Sequence, residues 1–232
     1  MTVAEWKTIG ILGGMGPEAT AEFYKRIIGI CQRDFGAKYD SDFPYIFICN
    51  LPLPDIVEEK GDPSLIKSVI SDGLEKLAKA GCGIVAIPCN TVFAYIDKET
   101  GLEILDIIEM TEDFIRARKF KKIGLIATRN TIKNKLYENA LGEIEILQLP
   151  ENSQIEVNDV IMRILSGVKI SADKERLQNF AQDLAGRGAE AVILGCTELP
   201  LLISQADSEI LLVDTIQVLA EKTVRRARAG SI

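Results

Sequence analysis

Residues 120–126 (FKKIGLI) echo residues 6–12 (WKTIGIL), and residues 184–196 (LAGRGAEAVILGC) echo residues 77–89 (LAKAGCGIVAIPC). In the second pair Leu, Ala, Gly, Val and Cys coincide, and Asp214 follows Cys196 much as Asp106 follows Cys89. A 232-residue chain that repeats itself in this way is expected to fold as two similar units of roughly 100 residues, each able to close a core. Within each half, short apolar runs alternate with amphipathic helical stretches, the pattern of a parallel sheet covered by helices. The expected fold class is α/β, with two pseudo-symmetric lobes. Each lobe is a mostly parallel sheet flanked by helices, and the active site lies in the cleft between them. The last helical stretch, with Val218, Leu219 and Val224, can pack back on the first half. The expected division is therefore 1–98 plus 209–232 for the first lobe and 99–208 for the second.

Local signals fill in the first half. Thr8–Leu12 is a buried-strand run, and Pro17 suits the first turn of a helix reaching about Cys31. Ala19, Phe23, Ile27 and Ile30 share one face of that helix. Tyr45–Leu51 reads as a second strand. Asp62-Pro63 opens a helix with Leu65, Ile66, Val69, Ile70, Leu74 and Leu77 as its apolar positions, and Gly81 ends it. Ile84–Pro88 is a third strand and delivers Cys89 at its carboxyl end.

Cys89 lies in Pro88-Cys89-Asn90-Thr91 and Cys196 in Gly195-Cys196-Thr197-Glu198. Both stand at the carboxyl end of an expected parallel strand, where open α/β sheets place ligands. A helix opening just after each cysteine would aim backbone N–H groups and a positive dipole end at the sulfur, lowering the thiol pKa from its usual value of about 8.5. Histidine is absent from the whole chain, which removes the commonest general base and the commonest metal ligand. Proton transfer near neutral pH is then left to cysteine, lysine, tyrosine or carboxylate. Two thiols facing each other across a cleft have a natural use in inverting a carbon stereocentre without a cofactor. One, as thiolate, removes a proton; the other, as thiol, delivers one to the opposite face, and they exchange states each turnover. The rival use is a redox disulfide, but nothing local resembles a resolving-cysteine motif. Cys31, Cys49 and Cys82 lack the duplicated context and read as small buried apolar side chains.

The turn Gly13-Gly14-Met15-Gly16-Pro17-Glu18-Ala19 satisfies part of a dinucleotide-binding fingerprint. The acidic residue that should end the next strand is missing, because that strand ends at Cys49-Asn50. The glycines are better used to bring backbone close to a small carboxylate at a helix N-terminus. The corresponding turn of the second half is Ala127-Thr128-Arg129-Asn130-Thr131. Its hydroxyls and amides suit a substrate carboxylate or amine, with Asn50 contributing from the first half. Each of these Thr and Asn residues could equally cap a helix.

Net charge is −7 and the pI near 4.9, so phosphate backbones and anionic membrane surfaces are poor partners. The short Arg225-Arg226-Ala227-Arg228 run reads as a solvated helix end. No apolar run approaches the roughly 20 residues that span a bilayer. A strand-like segment already at Thr8 leaves no room for a signal peptide, giving a cytoplasmic expectation. The five cysteines are odd in number and lack zinc-type or thioredoxin-type spacing, so they are expected as thiols and no metal site is expected.

GGMGPEAT, PCNT, ATRNT and GCTELPL occur in that order. Together they resemble the aspartate/glutamate racemase family, and within it the aspartate racemases, from Ile9 to about Thr215. The resemblance implies two pseudo-symmetric α/β lobes, no cofactor, racemisation of a free amino acid by two thiols, and a homodimer. Carried over by motif, Cys89 and Cys196 are the proton carriers. Met15, Asn50, Asn90, Thr91, Thr128, Thr131, Thr197 and Glu198 are candidate substrate contacts. Aspartate is the favoured substrate and glutamate the next.

The chain also departs from that pattern. Aspartate racemases typically carry an arginine after the Pro-Asp of the loop following the second strand, where this chain has Pro54-Asp55-Ile56. Many carry a lysine shortly before a glycine in the second lobe, where Leu165 precedes Ser166-Gly167. Both basic residues serve the distal carboxylate in the family, which leaves Arg129 and Arg163 as substitutes to consider. Many relatives also continue PCNT with Ala-His, where this chain has Val92-Phe93. Competing readings are hydantoin racemisation, cis–trans isomerisation of a dicarboxylate, and a non-catalytic small-molecule binder. Two matched thiols favour the racemase, since a binder needs none.

Overall fold

In the computed structural model, which describes residues 6–54, 56–57, 61–96 and 101–228, the repeat becomes two four-stranded parallel sheets of one topology. The first sheet places β1 (Ile9–Gly13) between β2 (Ile46–Asn50) and β3 (Ile84–Ala86), with β4 (Ile104–Leu105) outside β3. The second places β5 (Lys122–Ala127) between β6 (Glu145–Gln148) and β7 (Ala191–Gly195), with β8 (Leu211–Asp214) outside β7. Gly10 pairs with Phe47 and Val85 as Gly124 pairs with Leu147 and Val192, so the register repeats as well as the order. The chain is thus α/β, with two lobes whose sheets are flanked by helices.

Side chains alternate between the faces of each sheet, as a period of two requires. Ile9, Ile11, Ile84 and Ala86 of the first sheet join Ile123, Leu125, Ala191 and Ile193 of the second in one continuous buried cluster. The helices that complete it are α1 (Pro17–Phe35), α3 (Ile107–Ala117), α5 (Leu136–Leu141) and α8 (Thr215–Arg228). On the opposite faces Leu12, Val85 and Ile87 pack on α2 (Pro63–Lys79). Ile126, Val192 and Leu194 pack on α6 (Glu151–Leu165) and α7 (Ser171–Gly186). The two lobes therefore share an apolar core on one side and keep separate ones on the other. Fully burying a side chain such as Phe23 or Ile27 is worth about 1.5–3 kcal/mol, so the shared cluster strongly opposes separation of the lobes.

The expected crossing near residue 98 lies outside the described residues. Past it, β4 still pairs with β3 in the first sheet, and β8 pairs with β7 in the second. By sheet membership the chain passes from the first sheet to the second between Leu105 and Lys122, and leaves the second after Asp214. Helices α3 and α8 start at these crossings and pack on one another, tied by a Lys222–Asp113 ion pair at 3.2 Å. Helix α8 also packs on α1.

Three local expectations shift. Helix α1 runs to Phe35, because the residue that can take the left-handed stop is Gly36 (φ 67°). In α2 the N-cap Asp62 accepts from Ser64 N at 2.9 Å as expected, but Leu65 is exposed while Ile66, Ile70, Leu74 and Leu77 are buried. Strand β2 is a sheet edge, which leaves Phe47 and Ile48 half in solvent. Among the described residues no helix is long and apolar enough to cross a membrane.

Candidate active site

The chain leaves β1, β3, β5 and β7 at the rim of a cavity of ≈ 270 Å³ between the lobes. Its polar wall is built from strand ends: Cys89, Asn90 and Thr91 after β3, Thr128 after β5, and Cys196, Thr197 and Glu198 after β7. All seven side chains are buried. Its apolar wall comes from elsewhere: Met15 on the β1–α1 turn, Leu53, Pro54, Ile56 and Val57 on the loop after β2, and Met162 and Leu165 on α6.

The two sulfurs occupy equivalent places, one per lobe. The helices expected just after them are only 3-10 turns, Thr91–Ala94 and Leu199–Leu201, because Val92 and Leu199 turn straight into the core. Backbone N–H groups of Thr91 and Val92 do pull the Cys89 thiol down, as anticipated. Burial, reinforced by the charge of Glu198, outweighs them and pushes Cys89 up to about 12. Burial and then Glu198 raise Cys196 well above the ordinary thiol range as well. The expected lowering is overturned: burial holds both sulfurs in the thiol form at neutral pH.

Glu198 is the centre of the polar wall. Its Oε2 accepts from Cys196 Sγ at 3.1 Å and from Thr197 Oγ1 at 3.2 Å, while its Oε1 accepts from Gly16 N at 3.0 Å. That last bond joins residues of different lobes. The anion at the N-terminus of α1 is thus the protein's own carboxylate, where the sequence suggested a small-molecule carboxylate. Burial lifts the Glu198 carboxyl above its ordinary range, and the bonds from Cys196 and Gly16 offset part of that rise.

The glycine-rich turn is shaped for this contact. A Cβ on Gly16 would stand 2.9 Å from Glu198 Oε1 and 2.7 Å from Leu165 Cδ2. Gly14 has φ +91°, and a Cβ there would meet Leu51 N at 2.6 Å. Thr20 Oγ1 pins the turn, accepting from Gly14 N and donating to Gly16 O, each at 2.9 Å.

Thr91 reaches in the other direction. Its hydroxyl lies 3.0 Å from Thr128 Oγ1 and 3.1 Å from Thr131 Oγ1, closing a buried triangle of three threonines across the lobe boundary. Thr128 also caps α4 (Arg129–Lys133), accepting from Thr131 N at 3.1 Å. Thr131 stands behind the cavity lining. Asn90 is held at both ends of its amide, by Tyr137 Oη at 2.6 Å and Thr215 Oγ1 at 3.3 Å. Asn50 is exposed and sits against the turn at Gly14, outside the lining.

Sequence patterns did not disclose several supports. Asn130 Nδ2 donates to Ile56 O at 2.9 Å and to Tyr95 Oη at 3.0 Å, fixing the apolar wall to the second lobe. Tyr137, whose place in the repeat matches Phe23, is the buried phenol that orients Asn90. An aromatic in the helix of each half was the available signal, but its hydroxyl gave the second one a further role.

The Asp/Glu/Hydantoin racemase family model matches residues 12–223. The broad specificity amino-acid racemase RacX of Bacillus subtilis (strain 168) is 31% identical over 220 residues, which is 93% of this chain and 96% of that one. An aspartate racemase homologue from Pyrococcus horikoshii OT3 superposes with a TM-score of 0.78 at 28% identity, covering 95% of this chain and 99% of its own. The aspartate racemase of Picrophilus torridus has the same fold, with a TM-score of 0.76 at 24% identity over 95% of this chain and 94% of its own. The matched span contains both cysteine motifs, the glycine-rich turn and every strand of the two sheets except the start of β1, and on this ground the chain is a racemase belonging to the Asp/Glu/hydantoin racemase family.

Proposed function

We propose that this racemase inverts the α-carbon of a free amino acid, using Cys89 and Cys196 as its two proton carriers and no cofactor. The observation that supports it is the placement of one thiol from each lobe, at matching strand ends, on the wall of a single cavity. A cavity of ≈ 270 Å³ falls just below the usual range of about 300–1,000 Å³ for ligand pockets, which suits a metabolite of amino-acid size.

In the proposed cycle one sulfur enters as thiolate and takes the α-proton, becoming a thiol. The electron pair left on carbon is delocalised into the substrate carboxylate. The second thiol then gives its proton to the opposite face and becomes the thiolate. Burial and the charge of Glu198 raise both thiols, so a bound α-ammonium group, by its positive charge, favours loss of the first proton. The Thr91, Thr128 and Thr197 hydroxyls and the Asn90 amide line the cavity as candidate contacts for the substrate head, each already bonded to a neighbour that holds it in place. In the half of the cycle in which Cys196 is the thiol, Glu198 Oε2 accepts its S–H hydrogen bond.

The test is incubation with single L-amino acids in deuterated water under reducing conditions. Loss of the α-proton signal and appearance of the D-isomer on a chiral column are expected. No exchange with any proteinogenic amino acid removes the reading in favour of a non-catalytic binder. The proposal includes a homodimer, and light scattering on the same sample should give the mass of two chains.

A further inference from the structure

We propose, resting on the racemase reading above, that the side-chain end of the cavity takes an aliphatic side chain of about leucine or methionine size and disfavours a second carboxylate. The cavity is divided by origin. Every polar lining side chain comes from a strand end near the two sulfurs, where the α-carbon and its head groups must sit for either thiol to reach the proton. The other lining side chains are apolar, chief among them Met15, Leu53, Ile56, Val57, Met162 and Leu165, and a side chain leaving the α-carbon away from the sulfurs runs into them.

No cation faces that end among the described lining residues. Among the described lining residues the one charged side chain is Glu198, at the sulfur end of the cavity, and it is an acid that offers a second carboxylate no partner. The two arginines that could have served are committed or remote. Arg163 forms a two-pronged pair with Asp173, both contacts at 2.7 Å, and Asp173 is buried and also takes Arg176 at 3.0 Å. The Arg129 side chain is exposed and outside the lining. Lys169, next along the chain after the α6 wall, is paired with Glu18. A carboxylate pressed on such a wall loses its water and gains no partner, which is among the costliest exchanges a site can impose.

The apolar wall is also held in place. Met162 and Leu165 are three residues apart on α6 and therefore share a face. Ile56 is fastened through its carbonyl to Asn130 of the second lobe. The wall is thus a constructed surface that can select by shape and polarity.

The experiment compares kcat/KM for methionine, leucine, aspartate, glutamate and lysine by α-proton exchange on the intact enzyme. Methionine and leucine are expected to exceed aspartate and glutamate by about 100-fold. Aspartate, glutamate or lysine as the fastest substrate overturns the proposal while leaving the racemase reading intact. Failure of all five, followed by failure of every other amino acid, breaks the racemase reading instead. An Ile56→Arg variant should raise aspartate relative to methionine by about tenfold or more. Leu165→Lys, at a half-exposed position that tolerates a charge, repeats the test if the buried substitution impairs folding. A ratio that neither variant moves places the substrate side chain against some other wall and overturns the assignment.

Discussion

Two residues past Cys89 stands Thr91, and two residues past Cys196 stands Glu198. Both side chains are buried, and each leaves its own lobe to bond the first strand–helix turn of the other. Thr91 meets Thr128 at 3.0 Å on the β5–α4 turn, and Glu198 meets Gly16 N at 3.0 Å on the β1–α1 turn. These two turns correspond in the repeat, so the contacts are mirror versions of one exchange. Their chemistry is not the same. The first is a neutral hydroxyl triangle that touches no sulfur; the second is a carboxylate accepting from Cys196 Sγ. The shared frame sets where the sulfurs stand, and the exchange of a threonine for a glutamate two residues past the cysteine makes one sulfur's surroundings differ from the other's.

The strongest way to break that comparison is to remove each sulfur in turn. Cys89→Ser and Cys196→Ser should each lower racemisation by about 1,000-fold or more, since a weak hydroxyl replaces one of two obligatory proton carriers. Each variant should still exchange the α-proton of one isomer, and the surviving isomer should be opposite in the two. Full racemisation by either variant ends the two-thiol assignment.

A smaller effect is expected at the position where the lobes differ. Glu198→Gln should reduce kcat by about 10–100-fold, because the Cys196 thiol loses its charged acceptor. The charge of Glu198 raises both thiols, so its removal lets thiolate form at lower pH. The rising limb of kcat/KM should therefore move toward lower pH. A limb that stays in place would deny Glu198 any electrostatic part. Thr91→Val is the matched control and the mildest change. It keeps the volume but strips the hydroxyl from the threonine triangle, and urea unfolding should register a loss of about 1–2 kcal/mol with the pH limb unshifted.

The fold was largely legible because its signals are local. Apolar runs such as Ile9–Leu12 and Val192–Leu194 declare buried strands without reference to partners, and the repeat declares that there are two sets. What misled was context. Phe47 and Ile48 have strand chemistry, yet β2 lies at an edge and leaves them partly in water. The residues after each cysteine have helix-capping character, but Val92 and Leu199 are drawn into the core after a single tight turn. In the site, strand ends were readable because a parallel sheet delivers them to one rim. Loop and helix residues were not, since nothing in Met162 or Val57 announces which of its faces meets the cavity.

From the sequence alone came the two-lobed α/β frame, the equivalent sulfurs and the absence of a histidine base, all of which depend on residue type and spacing. Three-dimensional packing alone assigned the Gly16 anion position to Glu198, sent Arg163 to Asp173, and set Asn50 outside the cavity. It also decided the protonation of the sulfurs. Local N–H groups draw Cys89 down as its motif implies, but burial between two lobes that share a core costs the thiolate more than those groups return, and burial is a property no stretch of sequence carries by itself.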